Sequence, residues 1–119
     1  MIYTTYFAML RKVPRSATPV SICARSPDWY HGLECKRLAP SYQALAEFKL
    51  TGDEQKFTEE YRKDVLSRMD AEALAGELQA MVPTQDVLLV CFEKQGDFCH
   101  RHLVADWFRQ NGVAVEEWF

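Results

Sequence analysis

Hydrophobic and polar positions change their spacing several times along the chain, and each change marks an element. Ile2 to Phe7 mixes β-branched and aromatic residues and suits a strand. Turn residues around Pro14 end it, and Pro19-Val20-Ser21-Ile22-Cys23 then alternates apolar with small polar side chains as a second strand. The two lie too close in sequence for a full helical crossover, so parallel and antiparallel arrangements both stay open. Ala24 to Arg37 has turn residues without periodicity and reads as a loop.

The spacing then becomes helical. Pro40 fits a first turn, and Tyr42, Leu45, Ala46 and Lys49 follow on one helix as far as Gly52. Thr51-Gly52-Asp53-Glu54 is a capping pattern with an acidic first turn. It opens a second helix whose Phe57, Tyr61, Val65 and Met69 share a face, with Glu59 and Lys63 paired on the wet side. A third helix is expected from an Asp70 cap through Leu74, Leu78 and Met81, ending before Pro83.

Val87 to Phe92 is an unbroken apolar run after Asp86, which predicts a strand covered on both faces and therefore central in its sheet. A loop over Glu93–Asp97 leads to a helix reaching about Gln110, stopped by Asn111-Gly112 in a left-handed cap. Val113 to Trp118 is expected as the last strand, reached by a right-handed crossover to a parallel neighbour. The expected fold is a single α/β domain over residues 1–119, with three layers and a small, mostly parallel sheet bearing helices on both faces.

Composition narrows what such a domain can be. A chain of 119 residues, 48% apolar, is long enough for one core that needs neither disulfide nor metal, which leaves its cysteines and histidines free for chemistry. No apolar run reaches membrane-spanning length, and the first residues alternate instead of pairing a basic segment with an apolar one. A cytoplasmic protein with no membrane partner is expected. Its four cysteines are then thiols or metal ligands in preference to disulfides.

The formal net charge of −3 argues against a protein that coats nucleic acid, so a nucleic-acid partner is possible but not indicated. The charge is unevenly spread. Residues 1–37 hold six basic against two acidic side chains, net +4, and residues 38–119 hold eight against fifteen, net −7. The basic third suggests a local anion-binding surface.

Candidate chemistry gathers after the central strand, because ligands of open α/β sheets bind beyond the carboxyl ends of strands, at helix N-termini. Cys91 and Glu93 lie at that end, and Cys99, His100 and Arg101 open the next helix, with Asp97 the expected N-cap. No phosphate-loop or dinucleotide motif is present. At 100° per residue His100 points with Leu103, Val104, Trp107 and Phe108 into the core, whereas His102 lies opposite, one turn from Asp106. Arg101 falls at the edge of the apolar stripe, near Phe108, from where its guanidinium can reach over the site. The helix start and Arg101 favour a thiolate at Cys99, which is the preferred nucleophile, while Cys91 reads more simply as a small core residue.

The run Cys91-Phe92-Glu93, a short loop and Cys99-His100-Arg101 resembles the signature of the domain-of-unknown-function 488 family, and Phe57-x3-Tyr61 and the terminal apolar strand are similar too. The resemblance implies a similar α/β fold and Cys91, Glu93, Cys99, His100 and Arg101 as the shared site. It implies no reaction and no known cofactor.

Two functional classes follow. One is an enzyme acting on an anionic small molecule such as a nucleotide or nucleoside derivative. There Arg101 and the helix N-terminus hold the anion, Cys99 is nucleophile or redox thiol, Glu93 or His100 moves a proton, Trp29 or Tyr30 stacks on the ligand, and Arg25, Lys36 and Arg37 form a basic rim if the second strand runs parallel to the central one. In the bland alternative, Trp29 plugs the edge of the core. The other class is a binding module, including a metal site from Cys91, Cys99 and His100 completed by Cys23 or Cys35, against which the lack of a Cys-x2-Cys pair counts. A serine hydrolase is disfavoured, since no serine sits in a nucleophile-elbow sequence.

Overall fold

The computed structural model describes residues 1–93 and 97–118. Five strands form one sheet: β1 (Ile2–Tyr6), β2 (Ala17–Ser21), β3 (Leu33–Glu34), β4 (Asp86–Cys91) and β5 (Val115–Glu117), in the order β3-β2-β4-β1-β5. Every pairing is parallel. The unbroken apolar run makes β4 central as expected, with Val87 through Cys91 all buried. Tyr6 pairs with Cys91 on one side of β4 and Val20 with Leu89 on the other.

The first two strands therefore flank β4 and do not touch one another. A 3-10 helix over Phe7–Lys12 carries the chain across, which a few residues suffice to do where an α-helix could not. The expected loop over 24–37 holds the two-residue edge strand β3, too short to leave a periodic signal. The last strand crosses further than expected, passing β4's neighbour to pair outside β1, with Ile2 opposite Val115. It is also shorter than the apolar stretch that suggested it.

Four helices, α1 (Tyr42–Thr51), α2 (Glu54–Asp64), α3 (Ala71–Met81) and α4 (His100–Gln110), cover the face to which Cys91 points. The 3-10 helix and the aromatic rings of Phe7, Trp29, Tyr30 and Phe92 cover the other, completing three layers. Ser41, Asp53 and Asp70 cap the first three helices by accepting the amides of Ala44, Lys56 and Ala73. Pro40 thus lies before α1, and Thr51 closes α1 while Asp53 caps α2. Val65 and Met69 fall beyond the end of α2, and its surface ion pairs among the described residues run from Lys56 to Glu47 and Glu60, not from Glu59 to Lys63. The Asn111-Gly112 stop holds, with Gly112 at φ +81°. The loop expected over 93–97 lies partly outside the described residues. Among the described residues no helix is long and apolar enough to cross a membrane.

Candidate functional site

The sheet order decides where a ligand can sit. From β2 the chain turns outward to β3, and from β4 it crosses the other way to β5, so the connections diverge above the gap between β2 and β4. Such a switch point leaves a crevice at the carboxyl ends of the two strands. A cavity of about 470 Å³ opens there, with Cys23 and Arg25 beyond β2, Cys91 and Glu93 at β4, and His100 and Lys49 on the helices. That volume suits a small molecule.

The buried floor is a sulfur–imidazole cluster. Strand β4 delivers Cys91, whose Sγ lies 3.4 Å from His100 Nδ1 and donates to Glu93 Oε2 at 3.4 Å. The other imidazole nitrogen, Nε2, donates to the Ile22 carbonyl at 2.7 Å, since a carbonyl only accepts. Nδ1 is thereby aimed at sulfur. Tyr61 packs its ring edge-on against His100 at 5.5 Å and donates its hydroxyl to the Leu38 carbonyl, so the imidazole has little room to turn.

Cys99 occupies the N-cap position of α4 without a side-chain cap hydrogen bond, its sulfur beside Cys91 and His100. Burial opposes ionisation of its thiol, but the neighbouring Cys91 and His100 side chains, the His100 charge and the Arg101 backbone outweigh it and bring the pKa down to about 3. Burial likewise opposes charge on His100, and the Cys99 sulfur with the Ile22 carbonyl reverses it, so the imidazole is raised. Both shifts favour a thiolate at Cys99 and a charged imidazole at His100. Cys91 goes the other way, pushed well up by burial and by sulfur neighbours on both sides, and it keeps its proton. Glu93 is open to solvent along one edge, yet loss of water around its carboxylate and the nearby Cys99 thiolate raise it.

Arg101 is placed elsewhere than expected. It is wholly buried, and its Nε and Nη2 donate to Glu117 on β5, with Nη2 2.9 Å from Oε2. Its Nη1 donates to the Glu93 carbonyl, and the guanidinium carbon lies 5.7 Å from the centre of the Tyr6 ring. It does not line the cavity; it clamps Glu93 and β5 to α4. Helical rotation put Arg101 at the stripe's edge, whereas Arg101 and Ala105 are both buried, because β5 lies against that side of α4, which local spacing does not show.

Other expected site residues also lie away from the cavity. Trp29 is 59% exposed and joins Tyr30 against Phe7 on the opposite face of the sheet, and Tyr30 donates to the Leu33 carbonyl at 2.6 Å. Lys36 bonds the Ala24 carbonyl at 2.8 Å and pairs with Glu34, while Arg37 pairs with Glu77. Of the expected basic rim only Arg25 lines the cavity, where β2 does run parallel to β4. Asp97 does not cap α4, and Asp106 pairs with Arg109 at 3.1 Å instead of His102.

Lys49, foreseen only as a helix position, lines the mouth, and Cys23 reaches the cluster while Cys35 does not. The parallel course of β2 is the signal that selects Cys23, and it is a tertiary one. Cys91, Cys99 and His100 bring three ligand atoms within 4.8 Å of one another, a set able to hold a thiophilic metal ion.

The chain matches the family model described as the active DUF488-N3 subclade, DUF488-N3a, over residues 7–112. It belongs to the DUF488 family. No curated protein and no solved structure matches it. The matched span contains all the residues of the sulfur–imidazole cluster and the Glu93 carboxylate of this DUF488 protein.

Proposed function

We propose that this DUF488 protein is a thiol-dependent enzyme acting on a small anionic molecule, a nucleotide derivative among the candidates, bound in the cavity between β2 and β4. The observation that carries this reading is the Cys91–His100–Ile22 chain: a sulfur 3.4 Å from an imidazole nitrogen whose partner nitrogen is fixed by a backbone carbonyl. It sets a thiol beside a fixed imidazole whose raised pKa favours thiolate at the neighbouring sulfur, with the Glu93 carboxylate as the group able to take the Cys91 proton. Cys91 presents sulfur to the cavity, the Cys99 thiolate lies behind it, and Glu93 at the lip moves the proton. Arg25 and Lys49 at the mouth, with the His100 charge below, supply the attraction for an anion.

Alkylation tests both halves of this reading. Iodoacetate, an anion, should label Cys91 or Cys99 ahead of Cys35, and faster than neutral iodoacetamide does, with the advantage shrinking in Arg25→Ala or Lys49→Ala. Prior labelling of Cys35, or no preference for the anion, would remove the basis for the assignment.

A second reading is favoured by the three clustered ligand atoms: a zinc-binding module in which Cys91, Cys99 and His100 are ligands, with the Ile22 carbonyl orienting the imidazole. Elemental analysis of purified protein decides it, because stoichiometric zinc with thiols that react only after chelation supports the module over the enzyme.

A further inference from the structure

Three sulfurs gather here: Cys23 and Cys91 line the cavity, and Cys99 lies beside Cys91. A cysteine enzyme that transfers acyl or glycosyl groups needs a single nucleophilic sulfur, and a second thiol beside it has no part in that chemistry. Here Cys91 and Cys99 lie within 4.8 Å of one another, on the end of β4 and at the cap of the helix that follows it. Only Cys91 of the two lines the cavity. The arrangement separates a sulfur that lines the cavity from one that lies beside it without lining the cavity.

We propose that Cys91 and Cys99 form an exchanging dithiol that reduces a small anionic disulfide; this rests on the thiol-enzyme reading above and names its reaction class. In the first step Cys91 stays protonated until attack: as its Sγ bonds to one sulfur of the substrate disulfide, its proton moves along the existing 3.4 Å hydrogen bond to Glu93 Oε2. The substrate S–S bond breaks, one half leaves as a thiolate, and a mixed disulfide joins Cys91 to the other half. In the second step the Cys99 sulfur attacks Cys91 Sγ, the mixed disulfide breaks, and the second half leaves as a thiolate. The released thiolates take protons from Glu93 and from water. The two cysteines lose two electrons in forming their S–S bond, and the substrate gains two in becoming two thiols.

The pieces around the pair fit these roles. His100, fixed by Ile22, keeps the resolving Cys99 ionised, and attack by a thiolate is the form exchange requires. Arg101 holds the Glu93 backbone and so places the carboxylate against Cys91. Closing the bond brings two sulfurs that now lie within 4.8 Å of one another to roughly 2 Å. Arg25 and Lys49 line the entrance taken by a carboxylate-bearing disulfide.

The experiment incubates the full chain with oxidised glutathione, an anionic disulfide, then alkylates remaining thiols and maps the peptides by mass spectrometry. The expected product is a Cys91–Cys99 disulfide with both halves of glutathione released as thiol. Cys99→Ser should stop at a stable glutathione adduct on Cys91, and Glu93→Gln should slow the reaction at least several-fold. A lasting adduct in the unsubstituted protein, a Cys23–Cys91 bond in place of the expected one, or no exchange would overturn the dithiol. Parallel iodoacetate labelling separates the two levels: a site that alkylates but does not exchange refutes the dithiol alone, and one that does neither refutes the thiol enzyme as well.

Discussion

Arg101 and Glu117 face each other across the α4–β5 boundary, with the guanidinium wholly buried and bonded through Nε and Nη2 to one carboxylate. Thr4 on β1 donates to the same carboxylate, so three elements converge on it. Removing one partner of a buried pair leaves an uncompensated charge and costs about 3–5 kcal/mol. Glu117→Ala should therefore destabilise the protein by an amount of that order, whereas Glu116→Ala, next along β5 and exposed, should stay within about 0.5 kcal/mol. Urea denaturation of both variants checks this, and equal effects would show that the clamp contributes little.

The two histidines of α4 should differ. His100 is buried and bonded through both nitrogens, and His100→Ala removes those bonds and opens a void, for about 2–4 kcal/mol. His102 is only half-buried, and its replacement by Ala should change stability by about 0.5 kcal/mol or less. Thermal denaturation with alkylation of the same variants would count against the site if His102→Ala were the more disruptive.

Glu93 predicts a pH signature. Its folded pKa is raised, first by loss of water and then by the Cys99 thiolate, so the folded state binds more protons than the unfolded one between the two values. Its contribution to stability is fully present below the unfolded carboxyl range and is lost as pH rises through the raised folded value. Glu93→Gln should match the unsubstituted protein in acid and become the more stable of the two towards neutrality. Denaturation midpoints across that window test the sign, and a gap that stays constant with pH would refute the shift.

Much of the fold was legible because it rests on local signals. The apolar run of β4, the Asp70 cap of α3 and the Asn111-Gly112 stop of α4 each express backbone chemistry within a few residues, and each lies where the spacing predicts. Cys91, Glu93, Cys99 and His100 share one strand–loop–helix unit, and sequence proximity alone brings them together. What was not legible is non-local. The flanking of β4 by β1 and β2 decides that Cys23, not Cys35, approaches the cluster, and the outer position of β5 decides that Arg101 meets Glu117 instead of a ligand. Loop aromatics such as Trp29 and Tyr30 carry no mark of the sheet face they cover, and here it is the face away from the cavity.

The lowered Cys99 and raised His100 predict a thiolate at Cys99 beside a charged imidazole, and thiolates absorb in the far ultraviolet where thiols do not. Following that absorbance in the unsubstituted protein as pH falls should show one thiolate persisting until the neighbourhood of pH 3, the value to which Cys91, His100 and the Arg101 backbone bring Cys99. Cys99→Ser should abolish this acidic step, and His100→Ala should move it up towards the ordinary thiol value of about 8.5. A protein whose thiols all ionise only near that ordinary value, with no step in acid, would show that the ion pair does not exist.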